Sequence, residues 1–240
     1  VCYLQIIFVN KEFMRKKKIE IKGQVELMDA VLEETKVERE GLIVTEEITL
    51  PQANHTNHRK EIRVAILSED GFEEIELTSP KHALEEAGIK VDVISPHTGK
   101  IKSWDKTEWG QDIPVDKEVS EAHAEEYDAL VLPGGVMNPD KLRQSRDAIS
   151  FVRKCIRLGK TIAAICHGPQ TLIETGMIEG KTMTSYPSLE TDLRNAGVNW
   201  VDKDVVHYGQ FITSRNAYDL DAFNRELLNE LSPGPDPRLE

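Results

Sequence analysis

Four short, almost uninterrupted apolar runs, at residues 62–67, 91–94, 129–132 and 161–165, constrain this chain most strongly. A run of that length without polar alternation fits a strand buried on both faces, as in parallel sheets covered by helices. Helical stretches lie between the runs. Residues 72–87 have helical character and stop at Gly88, with Pro80 inside, which predicts a kink or restart near Ser79. Over 147–158, Ile149, Val152 and Ile156 share a face, with Cys155 beside them, so Cys155 belongs to the core. Further helices are expected at 170–175, 189–196 and 217–231, and further strands at 182–186, 205–206 and 211–213. The stretch 95–119 reads as loop-rich, with a small hairpin, a wall of the pocket, and Trp104 and Trp109 packed on the surface. Strands alternating with helices give an α/β fold whose open, mostly parallel sheet is covered on both sides.

The chain has 240 residues, enough for one large domain with an extension. Residues 1–60 read as an N-terminal extension, with a helix at 25–35, a strand at 42–50 and a polar linker at 51–60. Residues 61–231 form the α/β domain, and 232–240 are a Pro-rich tail. A net charge of −12 gives no basic face for nucleic acid. The cysteines, Cys2, Cys155 and Cys166, are scattered and suggest no disulfide framework, which fits a reducing, cytoplasmic setting. No apolar run approaches the ~20 residues of a membrane span. The apolar first nine residues lack the flanks of a signal peptide.

The chemistry centres on Ala164-Ile165-Cys166-His167-Gly168-Pro169. An apolar strand runs into a cysteine, and a glycine and a helix-starting proline follow. Nucleophile elbows share this layout, with small residues two before and two after the reactive side chain. A helix N-terminus and an adjacent imidazole both lower a thiol pKa. A buried structural cysteine is the other reading of the same residues.

Ligands bind such sheets at the carboxyl ends of the strands. Three strand ends carry notable residues: Gly71-Phe72-Glu73-Glu74-Ile75-Glu76, Pro133-Gly134-Gly135 with Asn138-Pro139-Asp140, and Cys166-His167. The Gly135 and His167 amides could hold an oxyanion, because glycine lets a ligand approach the main chain. A carboxyl from Glu73, Glu74 or Glu76 could reach the thiol. If buried, it would stay protonated and donate to a thiolate. The spacing leaves those three acids open. No metal-ligand spacing connects the histidines and cysteines, and there is no phosphate loop.

Together with Ala129-Leu130-Val131-Leu132-Pro133-Gly134-Gly135 and Thr184-Ser185-Tyr186-Pro187, these motifs resemble the PfpI family of intracellular cysteine peptidases and stress proteins. This family lies in the class I glutamine-amidotransferase-like superfamily, which includes the Parkinson's-associated protein deglycase. The resemblance covers roughly residues 61–231. It implies a flavodoxin-like three-layer sandwich, a homodimer or larger oligomer, and no cofactor. It makes Cys166 the nucleophile, His167 its neighbour, and Glu76 the protonated acid against the sulfur. Tyr186 matches a pocket tyrosine, while Gly134 and Gly135 line the oxyanion site. Asp140 falls where peptidase members place a glutamate that reaches the histidine of a neighbouring subunit. The activity it implies is deglycase or glyoxalase chemistry on a small aldehyde or a glycated amino group. The alternatives are an oligomeric ATP-independent cysteine peptidase, and a redox sensor or chaperone using an oxidisable cysteine.

Overall fold

A computed structural model describes residues 61–232. The expected helix at 25–35, strand at 42–50, linker and final tail residues lie outside the described residues. In chain order the strands are β1 (Arg63–Leu67), β2 (Phe72–Glu73), β3 (Lys90–Ser95), β4 (Lys100–Asp105), β5 (Glu108–Pro114), β6 (Lys117–Glu118), β7 (Ala129–Leu132), β8 (Thr161–Ile165), β9 (Thr182–Met183), β10 (Asn199–Trp200), β11 (Val205–Tyr208) and β12 (Phe211–Ser214). The helices are α1 (Glu74–Glu86), α2 (Met137–Gln144), α3 (Arg146–Arg157), α4 (Pro169–Ile173), α5 (Glu190–Asn195) and α6 (Leu220–Leu231).

Seven strands form the main sheet in the order β11-β12-β8-β7-β1-β3-β6. Every pairing in it is parallel except β11 with β12. The apolar runs form its centre, and the side chains of each strand divide between two cores because strand residues alternate faces. Ala65, Leu67, Leu130, Leu132, Ile162 and Ala164 join Leu142 of α2, Phe151 and Val152 of α3, and Leu172 of α4. Val64, Ile66, Ala129, Val131, Ala163 and Ile165 join Leu77 and Leu84 of α1 and Phe223 and Leu227 of α6. Helices on both faces make the expected three-layer α/β sandwich. Cys155 is fully buried in the first core, as its helical position implied.

Several local expectations need correction. The break near Ser79 does not occur: α1 runs unbroken from Glu74 to Glu86 with Pro80 buried inside it. The proline removes one main-chain donor, but packing on the second core and the Asn224–Ser79 side-chain hydrogen bond at 2.8 Å hold both halves in line. Helix formation begins at Glu74 because Phe72–Glu73 pairs as a strand with β4. The small hairpin expected after β3 is β4–β5, which takes up most of the stretch that reads as loop-rich, and Trp104 and Trp109 meet edge-to-face across it at 5.5 Å on the surface, as expected. Residues 184–186 leave the strand geometry expected of 182–186, and β9 pairs with β10 outside the main sheet. Helix α2 was not anticipated, since Asn138-Pro139 reads as a turn. Pro139 lies in its first turn, where an N–H has no helical partner.

Candidate active site

β8, β7 and β1 are adjacent in the sheet, so the three marked strand ends meet on one edge. At the end of β8, Cys166 takes a positive φ of 59°. A non-glycine residue there is strained by ~1–3 kcal/mol and persists only where its surroundings fix it. The fixing contacts are main-chain bonds. Cys166 N–H donates to the Ser214 carbonyl at 3.0 Å, Gly168 N–H to Ile165 at 2.8 Å, and Tyr186 N–H to the Cys166 carbonyl at 2.8 Å. The strand, the turn and the segment after β9 thus clamp the elbow from three sides.

The Pro133-Gly134-Gly135 turn closes over the sulfur. A Cβ on Gly134 would lie 2.6 Å from the Cys166 Cβ and 2.9 Å from the His167 nitrogen, so only glycine fits. Gly135 has φ +77° and is pressed against the Gly71 and Glu73 backbone. Its amide and that of His167 face the sulfur. The Gly134 N–H instead donates to Glu76 Oε2 at 3.0 Å.

The three candidate acids separate cleanly. Glu74 accepts from Ser103 Oγ at 2.6 Å and from Gln111 N–H at 2.9 Å, which pins the hairpin to α1 and holds its carboxyl below the ordinary range. Glu73 is pushed up by burial, and its carboxylate takes a bond from the Lys106 backbone. Glu76 is 2% exposed and hydrogen-bonded to the Cys166 sulfur. Burial first, with the nearby Glu73 charge adding to it, pushes Glu76 up to about 7.

Burial also pushes the Cys166 thiol up, and an ionised Glu76 pushes it further, while the Gly135 and His167 amides pull it down. The turn and the imidazole alone do not make this thiol acidic, contrary to the sequence expectation, because its sulfur is desolvated. The upward push from Glu76 exists only while that carboxyl is charged. A protonated Glu76 would donate to the sulfur instead, so one proton serves both groups.

His167 Nδ1 lies 3.2 Å from Cys166 Sγ. Its ring stacks on Tyr186 with centroids 4.8 Å apart and planes 24° from parallel, and burial lowers its pKa. Tyr186 is therefore beside the imidazole at a partly open mouth. Asp140 is exposed on α2 and does not meet His167 of its own chain. Ser188 was passed over as a site member, and Asn138 was marked at its strand end without a role. Ser188 Oγ is 3.3 Å from His167 Nε2, and nothing local in the sequence marks it. Buried Asn138 donates to the Pro133 and Gly134 carbonyls at 2.9 and 3.1 Å and accepts from Glu69 N–H at 2.8 Å. Its signal was a polar residue just after the Gly-Gly turn.

Among the described residues, Glu69, Asp70 and His97 could bring three metal-ligand atoms together. Lys141 Nζ already lies 3.7 Å from Glu69 and 3.5 Å from Asp70, so the cluster carries its own cation.

Residues 62–230 match the model of the DJ-1/PfpI family. The chain belongs to this family. It is 43% identical over 170 residues to the deglycase PYRAB04690 of Pyrococcus abyssi, covering 71% of this chain and 99% of that one. It is also 43% identical over 169 residues to YraA of Bacillus subtilis, whose name provisionally assigns it a cysteine protease activity, covering 70% and 98%. The crystal structure of Drosophila melanogaster DJ-1beta superposes with a TM-score of 0.66 at 31% identity, over 71% of this chain and 90% of that chain. The α/β sandwich is that of DJ-1/PfpI proteins, and the relatives it matches are named as deglycases or as a provisional cysteine protease. Among the described residues no helix is long and apolar enough to cross a membrane.

Proposed function

We propose that this protein is a Cys166-dependent deglycase or glyoxalase acting on methylglyoxal-type aldehydes and their adducts with amino groups. The observation that carries this reading is the strained Cys166, with its sulfur between the Glu76 carboxyl and His167 Nδ1. The thiolate adds its electron pair to the aldehyde carbon, and the carbonyl pair moves onto oxygen. The Gly135 and His167 amides receive that oxyanion, and His167 or Glu76 protonates it to a hemithioacetal. From a glycated amine, the thiolate displaces the amine and reaches the same intermediate. A base removes the C–H proton and a proton returns at the neighbouring carbon, leaving a thioester of a 2-hydroxy acid. Water then releases the acid and the thiol. One carbon is oxidised while its neighbour is reduced, so the net reaction adds only water and needs no external electron carrier. Relatives named deglycases at about 40% identity support this substrate class.

The second reading is an oligomeric cysteine peptidase. The similarity to YraA and the exposed position of Asp140, open to a neighbouring copy, favour it. Methylglyoxal loss and lactate appearance, run beside fluorescent casein cleavage for wild type and Cys166→Ala, separate the two. Aldehyde turnover lost in the variant, with casein untouched, is the expected result. Cys166-dependent casein cleavage selects the peptidase. Absence of both selects an oxidisable sensor, read by the mass of Cys166 after peroxide.

A further inference from the structure

The His167 ring is held at three places. Nδ1 faces the sulfur at 3.2 Å, Nε2 faces Ser188 Oγ at 3.3 Å, and the ring face lies on Tyr186. The backbone carrying Ser188 is tied to the nucleophile itself. Tyr186 N–H donates to the Cys166 carbonyl, Leu189 N–H closes a turn on the Tyr186 carbonyl at 3.0 Å, and the Leu189 side chain is buried. Sulfur, imidazole and hydroxyl therefore sit in one frame within a single chain.

A hydroxyl at Nε2 differs from a carboxylate in two ways. It carries no charge, so it does not strongly favour the imidazolium. It can also accept or donate, so it satisfies Nε2 in either state of the ring. A neutral ring carries one N–H. With that proton on Nε2 and donated to Ser188, the Nδ1 lone pair is left facing the thiol. We propose that Ser188 is a positioning residue that holds His167 with Nδ1 as the base toward Cys166. In the transfer the S–H bond breaks, its pair stays on sulfur, and the proton goes to Nδ1. The Nε2–H bond to Ser188 persists throughout, and no proton passes through the hydroxyl.

This inference rests on Cys166 being the nucleophile, but two of its readouts do not need turnover. The full chain is compared as wild type, Ser188→Ala, Ser188→Thr and Asp140→Asn. The measurements are imidazole 15N shifts of His167 against pH, the pH profile of Cys166 alkylation by iodoacetamide, and kcat/KM for methylglyoxal. In Ser188→Ala the preference for the Nε2–H tautomer is lost. Alkylation near neutral pH and kcat/KM each fall about 3- to 10-fold, the range set by one net hydrogen bond. Ser188→Thr recovers both to within about twofold, since it keeps the hydroxyl. Unchanged 15N shifts and alkylation profile in a folded Ser188→Ala protein overturn the proposal. So does a profile that moves in Asp140→Asn and not in Ser188→Ala. If wild type turns over no aldehyde, the proposed reaction fails, while the shifts and alkylation still decide the role of Ser188.

Discussion

Cys155 and Cys166 are both free and both shielded from water, at 0% and 8% exposure. They nevertheless belong to regions with different physics. Cys155 sits on α3 among Phe151, Val152 and Ile156, and burial pushes its thiol up to about 12. It is a small apolar side chain that happens to contain sulfur. Cys166 is surrounded by a carboxyl, two amides and an imidazole, on a backbone held at positive φ. Burial raises both thiols. What separates them is whether burial is accompanied by groups that can hold charge and move a proton. A buried thiol with no partner is inert, whereas one beside groups that can exchange its proton can meet the proposed role of Cys166.

The sharpest way to break this contrast is to remove each sulfur in turn. Cys166→Ala should lose at least about 10³-fold in methylglyoxal turnover, since no other group can take over a covalent nucleophile's role. Cys155→Ala should keep its turnover. Comparable losses in the two variants would erase the distinction.

Next comes the space around the active sulfur. Gly134→Ala should cost on the order of 10²-fold in kcat/KM in a protein that remains folded by circular dichroism, because the new methyl displaces the sulfur and Glu76 together. A fully active Gly134→Ala would show that the close approach is not needed.

The carboxyl gives a signature in stability. Glu76 titrates near 7 when folded and near the ordinary 4.5 when unfolded. Below about 4.5 both states are protonated and its contribution is fully present. As pH rises the unfolded chain releases this proton first, so that contribution is lost through pH 7, by about 3 kcal/mol at most. Glu76→Gln cannot titrate, so urea denaturation at pH 5 and pH 8 should show a smaller fall than wild type. Equal falls would place the buried proton elsewhere.

The smallest effect is expected at the other cysteine. Cys155→Ser buries a hydroxyl in an apolar core and should destabilise by about 1–3 kcal/mol in thermal melts. A neutral substitution would mean that the core around α3 supplies a polar partner.

Much of the sheet was readable from the chain, because strands buried on both faces must be apolar throughout and end in turn residues. The runs at 62–67, 129–132 and 161–165 fall on β1, β7 and β8 within a residue. The hairpin was underestimated because its strands are largely exposed, and exposed strands carry no continuous apolar signal. Helix α2 was missed because Asn138-Pro139 has turn chemistry. That chemistry also suits a first helical turn, and only the packing around Asn138 decides between them. The uninterrupted α1 shows packing overriding a proline.

At the site, the sequence by itself marked the three strand ends that carry chemistry, since ligands bind such sheets at the carboxyl ends of the strands; that β8, β7 and β1 are neighbours, so that these ends meet, is decided by the sheet order. The sequence also determined the elbow, whose residue types encode a sharp turn locally. The spacing left Glu73, Glu74 and Glu76 open and the family resemblance picked Glu76; how the three divide among the hairpin, the backbone and the sulfur is seen only in the tertiary structure, because neighbouring acids look alike until a helix start fixes their directions. Only the tertiary structure placed Ser188 on His167 Nε2, across 21 residues of chain. Charge and proton position depend on burial and on partners distant in sequence, and neither exists until the chain has folded.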